Sequence, residues 1–241
     1  MLLSQYYKLF PSKFSYPFLL LLILVGLASS CGKFNYPAQS GTESTPFQVG
    51  KDYKLTPAYE GSGIVPKATP QQEVHVIEFF SYACEACYEI EPDLQAWLAQ
   101  KPTFVKFERI PLHFFNPEWE LLGRLYYMTR MLGKQHVLTP VIFKFIHEEN
   151  QSFSNQKDVK RLLLENNITL ADYHAVDQFQ GGLDAQLARG RQLERIYQIT
   201  AAPSLVIGGR YKLDPSIVGG DVRRFFEVVN HLILKIKNGE N

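Results

Sequence analysis

The sequence predicts an α/β protein in which a helical domain is inserted between a βαβ unit and a ββα unit. Strand and helix patterns alternate over residues 74–112, helical spacing alone continues for about seventy residues, and a hairpin pattern precedes the last helix. The composition agrees, because 46% of the 241 residues are hydrophobic and 20% are charged, as in ordinary globular proteins. The formal net charge of +1 gives no electrostatic case for a nucleic-acid partner.

The N-terminus has the pattern of an export signal over residues 1–30. Lys8 and Lys13 form a basic start, Phe18–Leu27 is an apolar run, and small residues follow it at 28–30. These features together are typical of a secretory signal peptide. An uncleaved membrane anchor is the alternative, although a spanning helix needs ~20 apolar residues and this run is shorter.

Cys31 directly follows the small residues, and L-A-S-S-C resembles the lipobox at which a bacterial lipoprotein is cleaved before its lipid-modified cysteine. Ordinary cleavage nearby is the alternative, because Ala28 and Ser30 also suit the common signal peptidase. Gly32 supplies no acidic retention signal, which favours the outer membrane. Residues 31–55 are rich in small and polar residues, which predicts a flexible tether that holds the folded part in the periplasm.

The βαβ unit belongs to a first α/β segment, predicted over residues 56–117. Val74–Ser81 is an apolar, β-branched and aromatic run typical of a buried strand, and Thr103–Leu112 is a second one. Apolar residues at helical spacing follow Cys87, so a helix is expected to connect the two strands. Pro92 is expected to interrupt or kink that helix.

The predicted helical insertion covers residues 118–183, and the second α/β segment covers residues 184–241. Thr169 and Asp172 form a capping-box pattern at the start of one helix. The expected helices are Glu118–Leu132, Val141–His147, Asp158–Glu165, one that follows Thr169, and Asp184–Tyr197.

Strand patterns return after the insertion. Ser204–Ile207 and Arg210–Leu213 flank a Gly208-Gly209 pair, and glycines supply the positive φ angles that a tight hairpin turn needs. Asp221 is a natural N-cap for a final helix, whose apolar residues recur at helical spacing. The order βαβ, helical block, ββα follows.

Cys84 and Cys87 are spaced as C-x-x-C where the first strand gives way to the helix. A helix N-terminus favours the thiolate of the first cysteine, which can exchange with a disulfide while the second cysteine resolves the mixed disulfide. Zinc is one alternative, but a structural site needs four ligands, and neither His75 nor His113 belongs to a ligand motif. An inert disulfide is another, although closing so short a loop would gain little stability.

Two residues away from the cysteine motif are further candidates. Glu78 lies within the first apolar strand, and it is either a buried proton acceptor for Cys87 or an exposed side chain at the strand end. Pro203 starts a later strand, either as a trans loop exit or as a cis bend that leaves the Ala202 backbone able to pair with a substrate chain.

With these motifs, the chain from Val74 to Asn241 resembles the DsbA family of bacterial disulfide-bond-forming proteins. The segments I-E-F-F-S-Y-A-C-E-A-C-Y (Ile77–Tyr88) and A-A-P-S-L-V-I-G-G-R-Y-K-L (Ala201–Leu213) carry the resemblance, together with the helical insertion. The resemblance implies a thioredoxin fold with an inserted helical domain and no cofactor beyond the redox-active disulfide. It also implies oxidation of cysteine pairs in exported proteins, with reoxidation by a quinone-linked membrane partner of the DsbB type.

The resemblance also implies roles for individual residues. Cys84 is similar to the family's nucleophile, and Cys87 to its resolving cysteine. Glu78 is similar to the buried acid beneath the pair. Pro203 is similar to the cis-proline, and Ala202 to the residue that helps to select substrates.

Other polar and aromatic residues have weaker assignments. Glu91 and Lys106 resemble a charged pair near the family's cysteines. Phe114 and Phe115 either line a substrate groove or pack in the core. No role is assigned to three histidines without ligand spacing: His113, His136 and His147.

Two other functions remain open from the sequence. A disulfide isomerase or reductase of the periplasm usually has an N-terminal dimerisation domain, and residues 32–72 are too few and too polar to build one. A non-redox envelope lipoprotein that binds peptides belongs to another class. Such a protein would tolerate the loss of both thiols, so Cys84→Ala would leave its phenotype unchanged.

Glu85-Ala86 stands between the cysteines, where Pro-His is the commonest dipeptide of the family that the chain resembles. The histidine there helps to stabilise the thiolate, whereas Glu85 places a negative charge beside it and should raise the pKa of Cys84. We therefore expect a weaker oxidant than the Pro-His proteins. Alkylation rates against pH should give a higher Cys84 pKa than in the Glu85→Pro/Ala86→His variant, and a wild-type pKa well below that of the variant would contradict the expectation.

Overall fold

A computed structural model of the chain describes residues 47–61, 73–113 and 117–240. The strands in this part of the chain are β1 (Lys54–Leu55), β2 (Val74–Phe80), β3 (Val105–Pro111), β4 (Ser204–Ile207) and β5 (Tyr211–Leu213). The helices are α1 (Pro57–Gly61), α2 (Glu85–Gln100), α3 (Pro117–Met131), α4 (Gln135–His147), α5 (Gln156–Glu165), α6 (Leu170–Asp177), α7 (Gln180–Tyr197) and α8 (Val222–Lys237), with a 3-10 helix at Pro215–Val218.

The sheet has the order β1-β5-β4-β2-β3, which places β2 near its centre. β2 and β3 are parallel, and parallel neighbours need a crossover connection, which α2 provides. β4 pairs antiparallel with both β2 and β5, and the hairpin turns at Gly208 and Gly209, whose φ angles are +57° and +68°. The predicted βαβ and ββα units are therefore confirmed.

Helices cover both faces of the sheet. On one face, α2 and α8 pack on β2 through a core that includes Val76, Leu94 and Val229. On the opposite face, Phe79 and Ile110 pack with residues near the end of α7. Successive residues of a strand point to opposite faces, so every second residue of β2, beginning with Val74, faces α2.

The helices between β3 and β4 form the predicted insertion. They bury a separate apolar cluster to which α3, α4, α5 and α6 contribute Leu125, Ile142, Leu163 and Tyr173. Among the residues that the structure describes between 117 and 203, no strand occurs, in agreement with the sequence pattern.

The predicted boundary between residues 183 and 184 lies inside α7, which is continuous from Gln180 to Tyr197. Leu183 and Leu187, in its first half, pack in the cluster of the insertion. Leu193 and Tyr197, in its second half, pack against the sheet. One helix therefore belongs to both parts of the molecule.

The structure also changes the predicted limits of the tether. Residues 31–55 were expected to be flexible, but Lys54 and Leu55 form β1 and pair with Lys212 and Tyr211. Tyr53 is buried in the core beside Tyr211. The α/β part therefore begins before residue 56, because β1 extends the sheet at its edge and Tyr53 is part of the core.

Two helices are longer than the sequence suggested. α2 continues through Pro92, where an interruption was expected; the proline ring is exposed, while Ile90 and Leu94 on the other side of the helix are buried. α4 begins at Gln135 instead of Val141 and contains Pro140. In both cases tertiary packing outweighs the hydrogen bond that a proline removes.

Several sequence-based expectations concern residues outside the described ranges. They are the signal peptide at 1–30, the lipidation candidate Cys31, and the aromatic pair at 114–115. Within residues 47–61, 73–113 and 117–240, no helix is both long and apolar enough to cross a membrane.

Candidate active site

The two cysteines lie at the junction of β2 and α2. Cys84 is the N-cap of α2, and its backbone N–H donates to the Ser81 carbonyl at 3.1 Å. Its side chain is partly exposed, whereas Cys87, one turn into the helix, is only 1% exposed. Both are free cysteines. The structure thus places an accessible sulfur beside a buried one.

The local hydrogen bonds separate the acidities of the two thiols. The pKa of Cys84 is lowered by a hydrogen bond from the Cys87 side chain and by the backbone N–H groups of Cys87 and Ala86, although burial and the charge of Glu78 oppose this. Burial raises the pKa of Cys87 well above its ordinary value, and the neighbouring Cys84 sulfur adds to the effect. Cys84 is therefore the thiolate of the reduced pair, and Cys87 keeps its proton.

A loop before β4 faces the exposed sulfur. The Ala202–Pro203 peptide bond is cis, which decides between the two geometries that the sequence left open. The Cys84 sulfur lies 3.4 Å from the Ala202 carbonyl oxygen, although the two residues are 118 positions apart in the chain. The backbone of Ala202 is thus next to the Cys84 sulfur.

Glu78 is buried beneath the cysteines and forms an ion pair that sequence reasoning missed. It shares the α2-facing side of β2 with Val76, and Arg109 lies opposite it in the parallel register of β2 and β3. Arg109 Nε donates to Glu78, Nη2 donates to Glu91 on α2, and Nη1 donates to Glu91 Oε1 at 3.2 Å. We call Glu78, Arg109 and Glu91 the acid–arginine cluster.

The electrostatic balance of this cluster differs from that of a simple salt bridge. Burial raises the pKa of Glu78 to about 7, the negative charge of Glu91 raises it too, and Arg109 lowers it. The pKa of Arg109 itself is raised by the two carboxylates, even though burial opposes its charge. Glu78 therefore titrates near neutrality, while Arg109 stays charged.

The expected pairing of Glu91 with Lys106 is wrong. Lys106 is exposed on β3, where its Nζ lies 3.0 Å from Glu73. The reason is the two-residue period of a strand: Lys106 and Arg109 are an odd number of residues apart and point to opposite faces, and only Arg109 faces α2. Glu91 is 7% exposed and binds Arg109 as described.

The dipeptide between the cysteines is exposed, and Glu85 has a partner that was not predicted. The Glu85 carboxylate lies 2.7 Å from Nδ1 of His147, the last residue of α4. Ala86 is exposed, and its backbone N–H donates a hydrogen bond to the sulfur of Cys84. No sequence signal marks His147, because 62 residues separate it from Glu85 and only the docking of α4 brings the two together.

The other histidines singled out from the sequence are away from the cysteines. His113 lies 2.9 Å from Glu194 of α7, while His75 and His136 are exposed. In the ranges that the structure describes, no group of three or more His, Cys, Asp or Glu side chains could hold a metal ion.

Replacing Arg109 by Met should leave two carboxylates buried without a cation. We expect a loss of roughly 3–5 kcal/mol in the free energy of unfolding, as is typical when one partner of a buried ion pair is removed. Because Arg109 lowers the pKa of Glu78, its removal raises that pKa further above the unfolded value of 4.5. A carboxyl with a raised folded-state pKa loses stability as pH rises, so urea denaturation should show a larger loss at pH 8 than at pH 5.

Arg109→Lys is the matched control, because it keeps the charge at the same position. It should lose less stability than Arg109→Met at both pH values. An equal loss of unfolding free energy for Arg109→Met at pH 5 and pH 8 would show that Arg109 does not change the pKa of Glu78.

The chain has relatives of known activity over most of its length. The thiol:disulfide interchange protein DsbA of Pseudomonas syringae pv. tomato is 28% identical over 216 residues, which cover 89% of this chain and 94% of the relative. The protein of the same name from Bordetella pertussis is 30% identical over 172 residues, which cover 71% of this chain and 80% of the relative. No protein-family model matches the sequence.

Solved structures agree with these relatives. The crystal structure of Pseudomonas aeruginosa DsbA is 25% identical, has a TM-score of 0.69, and covers 80% of this chain and 95% of its own. That of the oxidoreductase DsbA from Xylella fastidiosa is 21% identical, with a TM-score of 0.68 and coverage of 80% and 98%. The thioredoxin fold with an inserted helical domain is confirmed. The chain belongs to the DsbA family of thiol:disulfide interchange proteins.

Proposed function

We propose that this protein introduces disulfide bonds into exported proteins by exchange through Cys84 and Cys87. The observation that carries the proposal is the unequal thiol pair at the start of α2, with an accessible low-pKa sulfur above a buried high-pKa one. The family is one of thiol:disulfide oxidoreductases that act through their own cysteine pair, without an external cofactor.

The exchange has two steps, which begin from the oxidised enzyme. A substrate thiolate attacks the accessible Cys84 sulfur, the Cys84–Cys87 bond breaks, and Cys87 leaves as a thiolate that takes up a proton. The second substrate thiolate then attacks the substrate sulfur of the mixed disulfide, and Cys84 leaves as a thiolate. The substrate loses two electrons and forms its disulfide, and the enzyme is left as the dithiol.

The lowered pKa of Cys84 favours this direction of transfer. Hydrogen bonds from Cys87, and from the N–H groups at the start of α2, stabilise the Cys84 thiolate that forms only in the reduced enzyme. Stabilising the reduced form makes the enzyme disulfide a better electron acceptor, and a thiol of low pKa is a good leaving group in the second step.

Glu78 has the properties of a proton carrier for Cys87. It is buried, its pKa of about 7 lets it exchange a proton near neutral pH, and its charge acts on the Cys87 thiol. We assign it the delivery of the proton that Cys87 takes up after the first step, and its removal during reoxidation. Glu91 and Arg109 would act through Glu78, while Lys106 has no part in this route.

The Ala202–Pro203 loop would hold the substrate during exchange. The Ala202 carbonyl lies 3.4 Å from the Cys84 sulfur, so a substrate strand that pairs with this backbone would bring its own cysteine to Cys84. Backbone pairing is tolerant of sequence, which suits an enzyme with many clients.

The N-terminal sequence pattern and the family support a proposal for the location and the partners. We propose export to the periplasm by a signal peptide at residues 1–30, an outer-membrane lipid anchor at Cys31, and reoxidation by a quinone-linked membrane oxidase of the DsbB type. We also propose a domain order of tether, first thioredoxin-like segment, helical insertion and second thioredoxin-like segment, with the last boundary in α7.

Loss of either thiol should separate this function from its rivals. Cys84→Ser and Cys87→Ser should each abolish the oxidation of a reduced peptide with two cysteines, because neither variant can form the enzyme disulfide. When the peptide is supplied in its disulfide form, Cys87→Ser should form an enzyme–substrate mixed disulfide through the Cys84 thiolate, whereas Cys84→Ser should form none, because Cys87 is buried. Gel mobility after acid quench and thiol alkylation measures both outcomes.

The same alkylation in intact cells tests whether the enzyme oxidises or reduces its substrates. Wild-type cysteines that are mostly oxidised fit the proposal, and mostly reduced cysteines would indicate an isomerase or reductase. An unchanged phenotype of Cys84→Ser would instead indicate the non-redox peptide-binding protein.

The lipid anchor has a separate test. Cells supplied with an alkyne-bearing fatty acid should label the wild-type protein and place it in the membrane fraction, because an acylated cysteine partitions into lipid. Cys31→Ser should remove the label and release the protein, while Cys87→Ser keeps the label. A wild-type protein without label would exclude lipidation and leave ordinary signal cleavage.

A further inference from the structure

His147 joins the helical insertion to the active-site turn through three contacts. Its Nδ1 lies 2.7 Å from a carboxylate oxygen of Glu85, and its Nε2 lies 2.7 Å from the carbonyl oxygen of Tyr82. Its ring stacks on Tyr88, with a centroid distance of 4.8 Å and an interplanar angle of 8°. The side chain of His147 is 6% exposed. Cys84 lies between Tyr82 and Glu85 in the chain, and His147 contacts both of these residues.

The partners of the two ring nitrogens define the charge of the ring. A carboxylate and a backbone carbonyl have no hydrogen to donate, so each of these contacts requires an N–H from the histidine. A neutral imidazole carries only one N–H, and an imidazolium carries two. Both contacts are hydrogen bonds at the same time only when His147 is protonated.

We propose that His147, as an imidazolium, is a positioning residue for the nucleophile Cys84. It supplies, from the helical insertion, a positive charge that the dipeptide between the cysteines lacks. It holds the Glu85 carboxylate in an ion pair and fixes the Tyr82 carbonyl two residues before the sulfur. The effect is to keep the thiolate of Cys84 stable although Glu85 is its immediate neighbour in the chain.

The surrounding charges fit this arrangement. On α2, Glu85 is the carboxylate that contacts the ring, and the Tyr88 hydroxyl donates to Glu148 at 2.9 Å. On α4 itself, the Nζ of Lys144 lies 3.6 Å from Glu149 and is thus engaged elsewhere. From the turn before α2 only a backbone carbonyl faces the ring, since the Tyr82 hydroxyl contacts Thr139.

The charge of Cys84 itself links this contact to the reaction. Glu78 is a carboxylate whose charge raises the pKa of the Cys84 thiol. Glu85, the next residue in the chain, is a second carboxylate whose negative charge disfavours the thiolate. The ion pair between His147 and Glu85, with 2.7 Å between Nδ1 and the carboxylate oxygen, offsets that second charge.

The inference rests on the proposed role of Cys84, and its test measures the acidity of that thiol directly. The alkylation rate of Cys84 against pH, followed by mass spectrometry of the labelled peptide, gives its acid dissociation constant. We expect His147→Ala to lower that constant roughly three- to tenfold, which is about 0.5–1 in pKa, since a compensating charge is lost and Glu85 is released.

Two conservative variants separate charge from packing. His147→Gln keeps a neutral donor of similar reach and should lower the dissociation constant almost as much as His147→Ala. His147→Lys restores a cation and should recover most of the wild-type value. If His147→Ala does not fold, as judged by its thermal transition, the Gln and Lys variants carry the comparison.

His136→Ala is the matched control, because this histidine is an exposed residue of the same helix. It should leave the acidity of Cys84 unchanged. A wild-type dissociation constant in His147→Gln would overturn the proposal, because the charge would then be unnecessary. Loss of exchange in Cys84→Ser, together with unchanged acidity in the His147 variants, would contradict this inference alone and leave the proposed function in place.

Discussion

A single guanidinium beneath the cysteines connects the elements on which the site depends. Arg109 is 3% exposed and binds Glu78 of β2 and Glu91 of α2, so one side chain of β3 joins the two strands and the helix of the βαβ unit. Charges so deeply buried are tolerated only when they are paired and hydrogen-bonded. The crossing of α2 over the sheet is therefore restricted to positions in which Glu91 can reach Arg109, and the N-terminus of α2 places Cys84.

The same cluster links stability to chemistry. Two carboxylates share one cation, so one of them is held partly protonated, and burial assigns that state to Glu78. Near neutral pH, Glu78 can therefore hold an exchangeable proton beneath Cys87. Burial raises the pKa of the Cys87 thiol itself. A fully compensated pair would be more stable, but it would hold no exchangeable proton.

The sequence predicted those parts of the site that depend on neighbours in the chain. Cys84, Cys87 and the start of α2 follow from local spacing, and the charge in an apolar strand was enough to single out Glu78. The partners Arg109 and His147 could not be found in this way. Arg109 is selected by the register of β2 and β3 together with the face of the strand, and Lys106, three residues earlier, satisfies neither condition. His147 depends on how α4 docks against α2, which no local pattern of either helix encodes.

The continuity of α7 means that the helical insertion is not a detachable module. Its first half completes the core of the insertion and its second half covers the sheet, so a cut between residues 183 and 184 would divide a buried helix that both parts need. α7 therefore couples the motion of the insertion to that of the sheet. A rotation of the insertion that withdrew His147 from the cysteines would also have to move the second half of α7 against the sheet, close to the loop that contains Ala202.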